Sequence, residues 1–409
     1  VPKITTQLNL RSNRNKFIAQ GFFLTAALAV ADTSTVLPLI IDYFNGSEVL
    51  IGILSSLLKG GAIIMQLWTA FQAQDKSNVL GSLRKVFVYR FLSWFLIGFS
   101  ILLFYSLNDS IVLIFVSIFL FLFSFSAGVG VIYFQELIAK AFTKKYRGKA
   151  IAYKQIASGL AGIISGGISG FILELFSAPV SFAYLFFFSS FVMLFGILFF
   201  WNFKEIEKKD TNQKEKNFGL FLKGAGAAFI SDKSLQFQTL TRFLSYSLFF
   251  VFPFFILHAK NQIGIEGKEI GLIISLQMIG AVGGNLLWAF LASKNLNRCV
   301  IVISFFLSII AVLLVFRAET IEIYYVIYFL AGASIDGFRL AYSNLILIIA
   351  PENKRPMYVA VQNNLSSFGL FFAIPGGIFL KLTNFNTVSI ITIFLLITGL
   401  WFSFFLKKQ

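Results

Sequence analysis

"IGILSSLLKGGAIIMQL" (51–67) and "IGLIISLQMIGAVGGNL" (270–286) are the same segment written twice, 219 residues apart. Seven of the seventeen positions are identical: Ile51, Gly52, Ser56, Leu57, Gly61, Ala62 and Leu67 each meet their like. Two further matches follow in the same order. "VLPLII" (36–41) pairs with "VFPFFI" (251–256), which sets Pro38 against Pro253, and "RGKAIAYKQ" pairs with "RPMYVAVQN". Three matches in register point to a duplicated chain in which each half is one folding unit.

What is duplicated is built for lipid. Of 409 residues 57% are hydrophobic and 13% charged, about half the charge of an ordinary soluble chain. Hydropathy broken at polar turns predicts twelve spans, near 17–42, 48–72, 86–106, 111–136, 150–175, 180–202, 237–260, 269–292, 299–316, 324–350, 357–381 and 387–406. A helix needs about 20 residues to cross the hydrocarbon, and these segments meet or approach that length. The longest polar break, 203–235, separates six spans from six. The domains expected are therefore 1–202, a cytoplasmic linker at 203–236, and 237–409. Within the linker, "FGLFLKGAGAAFI" reads as a helix lying along the inner membrane face. The fold class expected is an all-α membrane protein of twelve transmembrane helices in two pseudo-symmetric six-helix bundles.

The formal charge of +16 reports topology. With both termini inside, 28 of the 34 Lys and Arg fall in cytoplasmic segments and helix ends, four fall outside, and only Lys59 and Arg339 sit within spans. That asymmetry follows the positive-inside rule and removes the case for a nucleic-acid partner. One Cys and one His exclude a disulfide framework and a His-rich metal site. No phosphate-binding loop, paired carboxylates or nucleophile constellation is present, so the chain is not expected to be an enzyme. The fifty-three Phe read as lipid-facing filler.

Twelve spans as six plus six, a long central cytoplasmic loop and basic turns after spans 2, 4, 8 and 10 resemble the major facilitator superfamily over nearly the whole chain. Its loop signature, Gly-x-x-x-Asp-Arg-x-Gly-x-Arg, is worn: "FQAQDKSNVLGSLRK" keeps Asp75 and Lys76 but has Phe71 for the glycine, and "AFLASKNLNR" keeps Lys294 and Arg298. "GLAGIISGG" (159–167) is similar to the superfamily's antiporter motif with Ile163 in place of proline, although small-residue helix packing is the better explanation. The resemblance implies alternating access between two bundles, with spans 3, 6, 9 and 12 toward lipid.

Charge inside a span is expensive, about 2.5–3.5 kcal/mol at the centre even on the lenient insertion scale, so it marks a cavity or a partner. Asp32, Lys59, Asp336 and Arg339 are the substrate or proton-coupling candidates, all near mid-depth. Neutral polar groups at helical spacing, Ser55, Gln66, Gln277, Asn285 and Ser343, are expected to line the cavity, with Gln362, Asn363 and Asn364 near the inner end of span 11. Asp32 and Lys59 read as a proton-controlled pair, and Asp336 with Arg339 as an i,i+3 pair. Glu136 and Lys154 read as gate charges, and His258 as a structural group. Each pair also has the plainer reading of mutual neutralisation.

The function expected is a proton-coupled secondary transporter, probing first toward export of a small amphipathic compound. Proton-coupled uptake of an organic anion, or a lipid or lysolipid flippase on the same fold, are the alternatives. No cofactor is expected beyond the proton gradient. The partners are a small-molecule substrate and the lipid bilayer, the chain acting as a monomer in a bacterial inner membrane.

Overall fold

The computed structural model describes residues 2–32, 34–73, 79–142, 144–205, 218–351 and 355–406, and the side chains of Lys59 and Gln66, among others, lie outside the described residues. Asp75 and Lys76 lie outside them as well. All regular structure described is helical. In chain order the first half holds α1 (Pro2–Val30), α2 (Val36–Tyr43), α3 (Glu48–Ala73), α4 (Leu80–Phe104), α5 (Asp109–Ala141), α6 (Lys144–Leu175) and α7 (Val180–Trp201). The linker contributes α8 (Phe218–Ser231). The second half holds α9 (Lys233–Ser245), α10 (Phe255–Ile263), α11 (Gly267–Ser293), α12 (Asn297–Val315), α13 (Ile321–Ile349), α14 (Arg355–Ser367), α15 (Ala373–Leu382) and α16 (Phe385–Ser403).

Among the described residues ten helices are long and apolar enough to cross a membrane, taking α9–α10 and α14–α15 as single spans. Helix satisfies every backbone group internally, which is what a segment in hydrocarbon requires. The ends are set by local chemistry. Asn108 caps α5 by accepting from Ser110 N at 2.8 Å, and Asn384 caps α16 by accepting from Thr387 N at 2.9 Å. Glu266 and Glu269 form a reciprocal box at the start of α11, and Gly264, at φ 66°, takes the left-handed turn that stops α10. The observed bounds track the predicted spans, with two differences. Helix α1 begins at Pro2, so the basic N-terminal stretch is helical. Several helices also start some residues earlier than hydropathy alone marks, among them α4 at Leu80 and α9 at Lys233.

Three predicted spans are interrupted. The first breaks between α1 and α2, at 31–35. The seventh passes through 3-10 turns at Tyr246–Phe250 and Phe252–Phe254. The eleventh passes through another at Phe368–Phe372. Each break lies just before or around a proline, Pro38, Pro253 or Pro375. Proline lacks the N–H that would bond four residues back, and its ring crowds that carbonyl, so the preceding turn tightens or opens. The expectation of one continuous first span is corrected accordingly.

The chain divides into two compact units. Unit 1 is Val1–Val36, Tyr43–Asn45 and Leu57–Lys214; unit 2 is Leu37–Asp42, Gly46–Ser56 and Glu215–Gln409. In unit 1, α1 packs on α6 and α7, and α4 on α5 and α7. A buried hydrogen-bond chain ties three of these helices: Trp94 Nε1 donates to Ser189 Oγ at 2.7 Å, and Ser189 Oγ donates to Ala27 O at 2.5 Å. In unit 2, α13 packs on α11 and α12, and α9 on α14 and α16. Lys260 there meets Asp42 at 2.6 Å. Helix α8 docks its Ala228 and Phe229 on Ile346, Tyr358 and Val361.

The repeat is visible in the packing. A Cβ on Gly280 or Gly332 would lie 2.0 Å from the carbonyl oxygens of Phe329 and Gln277, so α11 and α13 touch backbone to backbone. In unit 1 a Cβ on Gly128 would lie 2.0 Å from Ala62 O, and Ser124 Oγ donates to Leu57 O at 2.6 Å. Gly61 and Gly280, partners in the sequence repeat, thus serve matching helix contacts. On the outer side of α7, Phe188, Phe191, Phe195 and Phe199 form an exposed stripe, as do Ile390, Phe394, Ile397 and Trp401 on α16. This is the spacing of a lipid-facing helix.

Candidate functional site

The close α11–α13 contact sets the best-defined polar group of unit 2. It brings Asn285 against Asp336: Asn285 Nδ2 donates to Asp336 Oδ2 at 2.6 Å. Arg339, one turn along α13, places Nη2 2.9 Å from both carboxylate oxygens. Asp336 is thus held by two side chains, and its own is only 15% exposed against 65% for Arg339. The carboxylate is enclosed, and the guanidinium that neutralises it reaches out. Ser343 continues the stripe, exposed, its Oγ donating to Arg339 O at 2.7 Å. Gln277 is buried against the Gly332 contact, with Oε1 lacking a hydrogen-bond partner among the described residues. Ser55, also in unit 2, is buried with its hydroxyl likewise unpartnered.

Asp32 behaves differently. Its Oδ2 accepts from Ser34 N at 2.9 Å, Ser34 Oγ at 2.5 Å and Thr35 Oγ1 at 3.1 Å, while its carbonyl accepts from Val36 N at 2.8 Å. Asp32 therefore caps the start of α2 at the break in the first span, a role available because short acidic side chains satisfy orphan N–H groups at helix starts. Lys59 belongs to α3, and its side chain, like that of Gln66, lies outside the described residues.

Two cations escaped the sequence reading. Arg242, on α9, donates through Nη1 to Gln362 Oε1 at 2.9 Å and to Asn363 Oδ1 at 2.6 Å, and meets no carboxylate among the described residues. Gln238, one turn before it, donates to Tyr342 O at 3.4 Å. Helices α9 and α13 run in opposite directions, so Arg242, about 6 Å further along α9, lies level with Phe338 and Arg339. Asn364 bonds within its own helix, to Ala360 O at 2.8 Å. The second missed cation, Arg90, is 9% exposed, ten residues inside α4. It corrects the expectation that only Lys59 and Arg339 are charges within spans. Both were taken for helix-end charges because α4 and α9 start earlier than hydropathy marks; each Arg sits in an apolar run ("VFVYRFLSWF", "TLTRFLSYSLFF"), which is the available signal.

The remaining candidates are structural in their contacts. His258 Nδ1 lies 2.6 Å from Tyr324 Oη and its ring stacks on Phe385 at 3.9 Å. Glu136 pairs with Lys140 at 3.6 Å, and Lys140 with Glu205 at 3.6 Å. Lys154 Nζ sits over the rings of Phe17 and Phe134 at 4.8 and 4.6 Å. No group of His, Cys, Asp and Glu suited to a metal ion occurs among the described residues.

A family profile described as Major Facilitator Superfamily matches residues 18–242 and again 238–409. The chain belongs to the Major Facilitator Superfamily. The two successive matches meet where the sequence repeat divides it. No curated protein matches it in sequence. Among solved structures, a mutant of the nucleoside transporter NupG superposes with a TM-score of 0.76 at 12% identity, covering 97% of this chain and 100% of that one. A bacterial homologue of the lysosomal transporter Spinster, inward-facing and occupied, gives 0.67 at 13% identity over 97% and 96%. A bacterial homologue of the iron transporter ferroportin, inward-facing, gives 0.69 at 10% identity over 97% and 99%. These likenesses show the fold. As a superfamily member the chain is a multi-pass membrane transporter and no enzyme.

Proposed function

We propose that this transporter carries small organic anions, driven by the proton gradient, across a bacterial cytoplasmic membrane with both of its termini inside. One observation carries the reading: Arg242 is oriented by two neutral amide oxygens and meets no acid among the described residues. A guanidinium held this way keeps its net charge and offers a planar fork suited to carboxylate or phosphate. Arg339, at the same depth and largely exposed, is the second cation of the site. An amphipathic cargo, the first expectation, would draw on the Phe content of the chain. Much of that Phe is spent on exposed stripes such as 188–199, which leaves the cations as the features that need a ligand. The named cargoes of the structural relatives do not transfer at 10–15% identity.

Asp336 supplies the proton step. A substrate anion and the Asp336 carboxylate compete for one guanidinium, that of Arg339. Protonating Asp336 releases Arg339, so proton binding and anion binding strengthen each other, and by linkage the effect is reciprocal. This places coupling on Asp336 rather than on Asp32, whose carboxylate is engaged in capping α2. Gln277, Asn285, Ser55 and Ser343 then act as neutral lining.

The test is a thermal-shift screen of the purified protein against dicarboxylates, sugar phosphates and amphipathic cations, followed by counterflow in liposomes. Anions should stabilise the wild type and lose that effect in Arg242→Gln. Asp336→Asn should retain anion exchange and lose proton-driven accumulation. Stabilisation by amphipathic cations alone, undiminished in Arg242→Gln, overturns the reading.

A further inference from the structure

Unit 1 contains a largely apolar cleft, with two polar side chains in its wall, that the transport site does not use. It is small, about 10 Å³, and is lined by Gln20 and Leu24 of α1, Phe87 and Arg90 of α4, and Met193 and Ile197 of α7. Arg90 is 9% exposed, and its Nε has no hydrogen-bond acceptor. Among the described residues it makes no ion pair; its one recorded contact of polar character is the face of Phe123, whose ring centre is 4.6 Å from the guanidinium carbon. Gln20 is 3% exposed, and its Oε1 is equally without a partner. Two orphaned polar side chains, both more than nine-tenths buried, therefore line one cleft.

A guanidinium does not give up its proton in a protein, so burying Arg90 buries a full positive charge. Such charges are paired in native structures. A ring face offsets part of the field but offers Nε–H no lone pair. We propose that the cleft binds a small inorganic anion of about the size of chloride, the counter-ion of Arg90. Turning the Gln20 amide by half a rotation presents its Nε2 as a second donor to the same anion. The walls are fixed beside it: Trp94, one turn from Arg90, is tied through Ser189 to Ala27, so α1, α4 and α7 are held together at this level. Gly196 brings α7 close to α1, where a Cβ would lie 3.1 Å from that of Phe23. A cleft within three tied helices suits a single ion and not a lipid headgroup with its glycerol. The site lies within unit 1 and stands apart from the cargo assigned to unit 2.

The purified full-length protein, in detergent, is melted at fixed sodium concentration in chloride or in gluconate, which is too large for the cleft. Chloride at 100 times its dissociation constant should raise the melting temperature by about 3 °C. Bromide should replace it and give an anomalous peak within hydrogen-bond distance of Arg90. Gln20→Glu installs a carboxylate at the same place, so this variant should melt alike in both salts, at or above the wild type in gluconate. Arg90→Gln, if it folds, should also be insensitive to chloride. Equal melting of the wild type in chloride and gluconate overturns the proposal and leaves a water in the cleft. So does a chloride effect that persists unchanged in Gln20→Glu, or a stabilisation that follows phosphatidylglycerol and not halide.

Discussion

Removing Arg339 should harm the protein more than removing Asp336, although the two form one ion pair. The asymmetry follows from exposure. Asp336 is enclosed, with a side chain 15% exposed, and its lone pairs are met by Arg339 at 2.9 Å and Asn285 at 2.6 Å. Arg339→Gln leaves that carboxylate with one amide donor in a low-dielectric place. Breaking a buried pair this way costs about 3–5 kcal/mol, and the lower end applies because Arg339 is 65% exposed and the pair is partly solvated. Asp336→Asn leaves Arg339 in the solvated position it already holds, and the new amide oxygen still accepts from Asn285. Its cost is that of one partly screened charged hydrogen bond, about 1 kcal/mol. The double variant has no orphaned charge and should also lose about 1 kcal/mol, which makes the coupling about 3 kcal/mol. Unfolding of the four proteins in mixed micelles, followed by tryptophan fluorescence, measures the cycle. Equal losses from the two single variants, or a coupling near zero, refute the account of an enclosed acid and an exposed base.

Three further outcomes are expected. Gly332→Ala drives a Cβ to 2.0 Å from Gln277 O and should sharply lower the melting temperature, whereas Gly283→Ala, with nothing within 4 Å, should be neutral or gain up to about 1 kcal/mol; similar behaviour of the pair would show that α11 and α13 do not meet at backbone distance. Ser189→Ala leaves the Trp94 N–H without its acceptor in the core of unit 1, removes the bond to Ala27 O, and should cost about 1–3 kcal/mol in the same unfolding assay, against little change for Ser293→Ala on the surface. In a Cys299→Ser background, an impermeant maleimide added to intact cells should label a cysteine at Asn108 and miss one at Asn295; the reverse pattern would invert the proposed orientation.

The span pattern and the duplication were legible because both rest on composition over long windows. Gly61 and Gly280 stand in the matched segments, and many of the helix bounds fall within a few residues of the hydropathy breaks. The pairing of Asp336 with Arg339 was legible too, being set by helical spacing alone. Its third member was not: Asn285 lies fifty-one residues from Asp336, and only the glycine contact of α11 with α13 brings it there. Arg90 and Arg242 were hidden by a different cause. Hydropathy marks where a helix turns apolar and not where it begins, so charges between two and three turns inside read as helix-end charges. Asp32 illustrates a third limit. Its place in the first predicted span is plain from the sequence, but the break before Pro38 gives its carboxylate backbone and hydroxyl donors within three residues, a local competition that periodicity does not report.

The interrupted spans also bear on mechanics. An unbroken α-helix resists bending because curvature must lengthen hydrogen bonds along one side. At Tyr246–Phe250 and Phe368–Phe372 the chain already exchanges four-residue for three-residue bonding, so a change of axis there swaps one carbonyl partner for another at nearly constant bond number. These turns are compliant joints in otherwise stiff rods. The joint in the first span is fastened differently, by the Asp32 carboxylate gripping the next turn through three donors. Neutralising that one acid would loosen the stiffest of the three, and the helix would lose rigidity at the place where a single side chain now sets it.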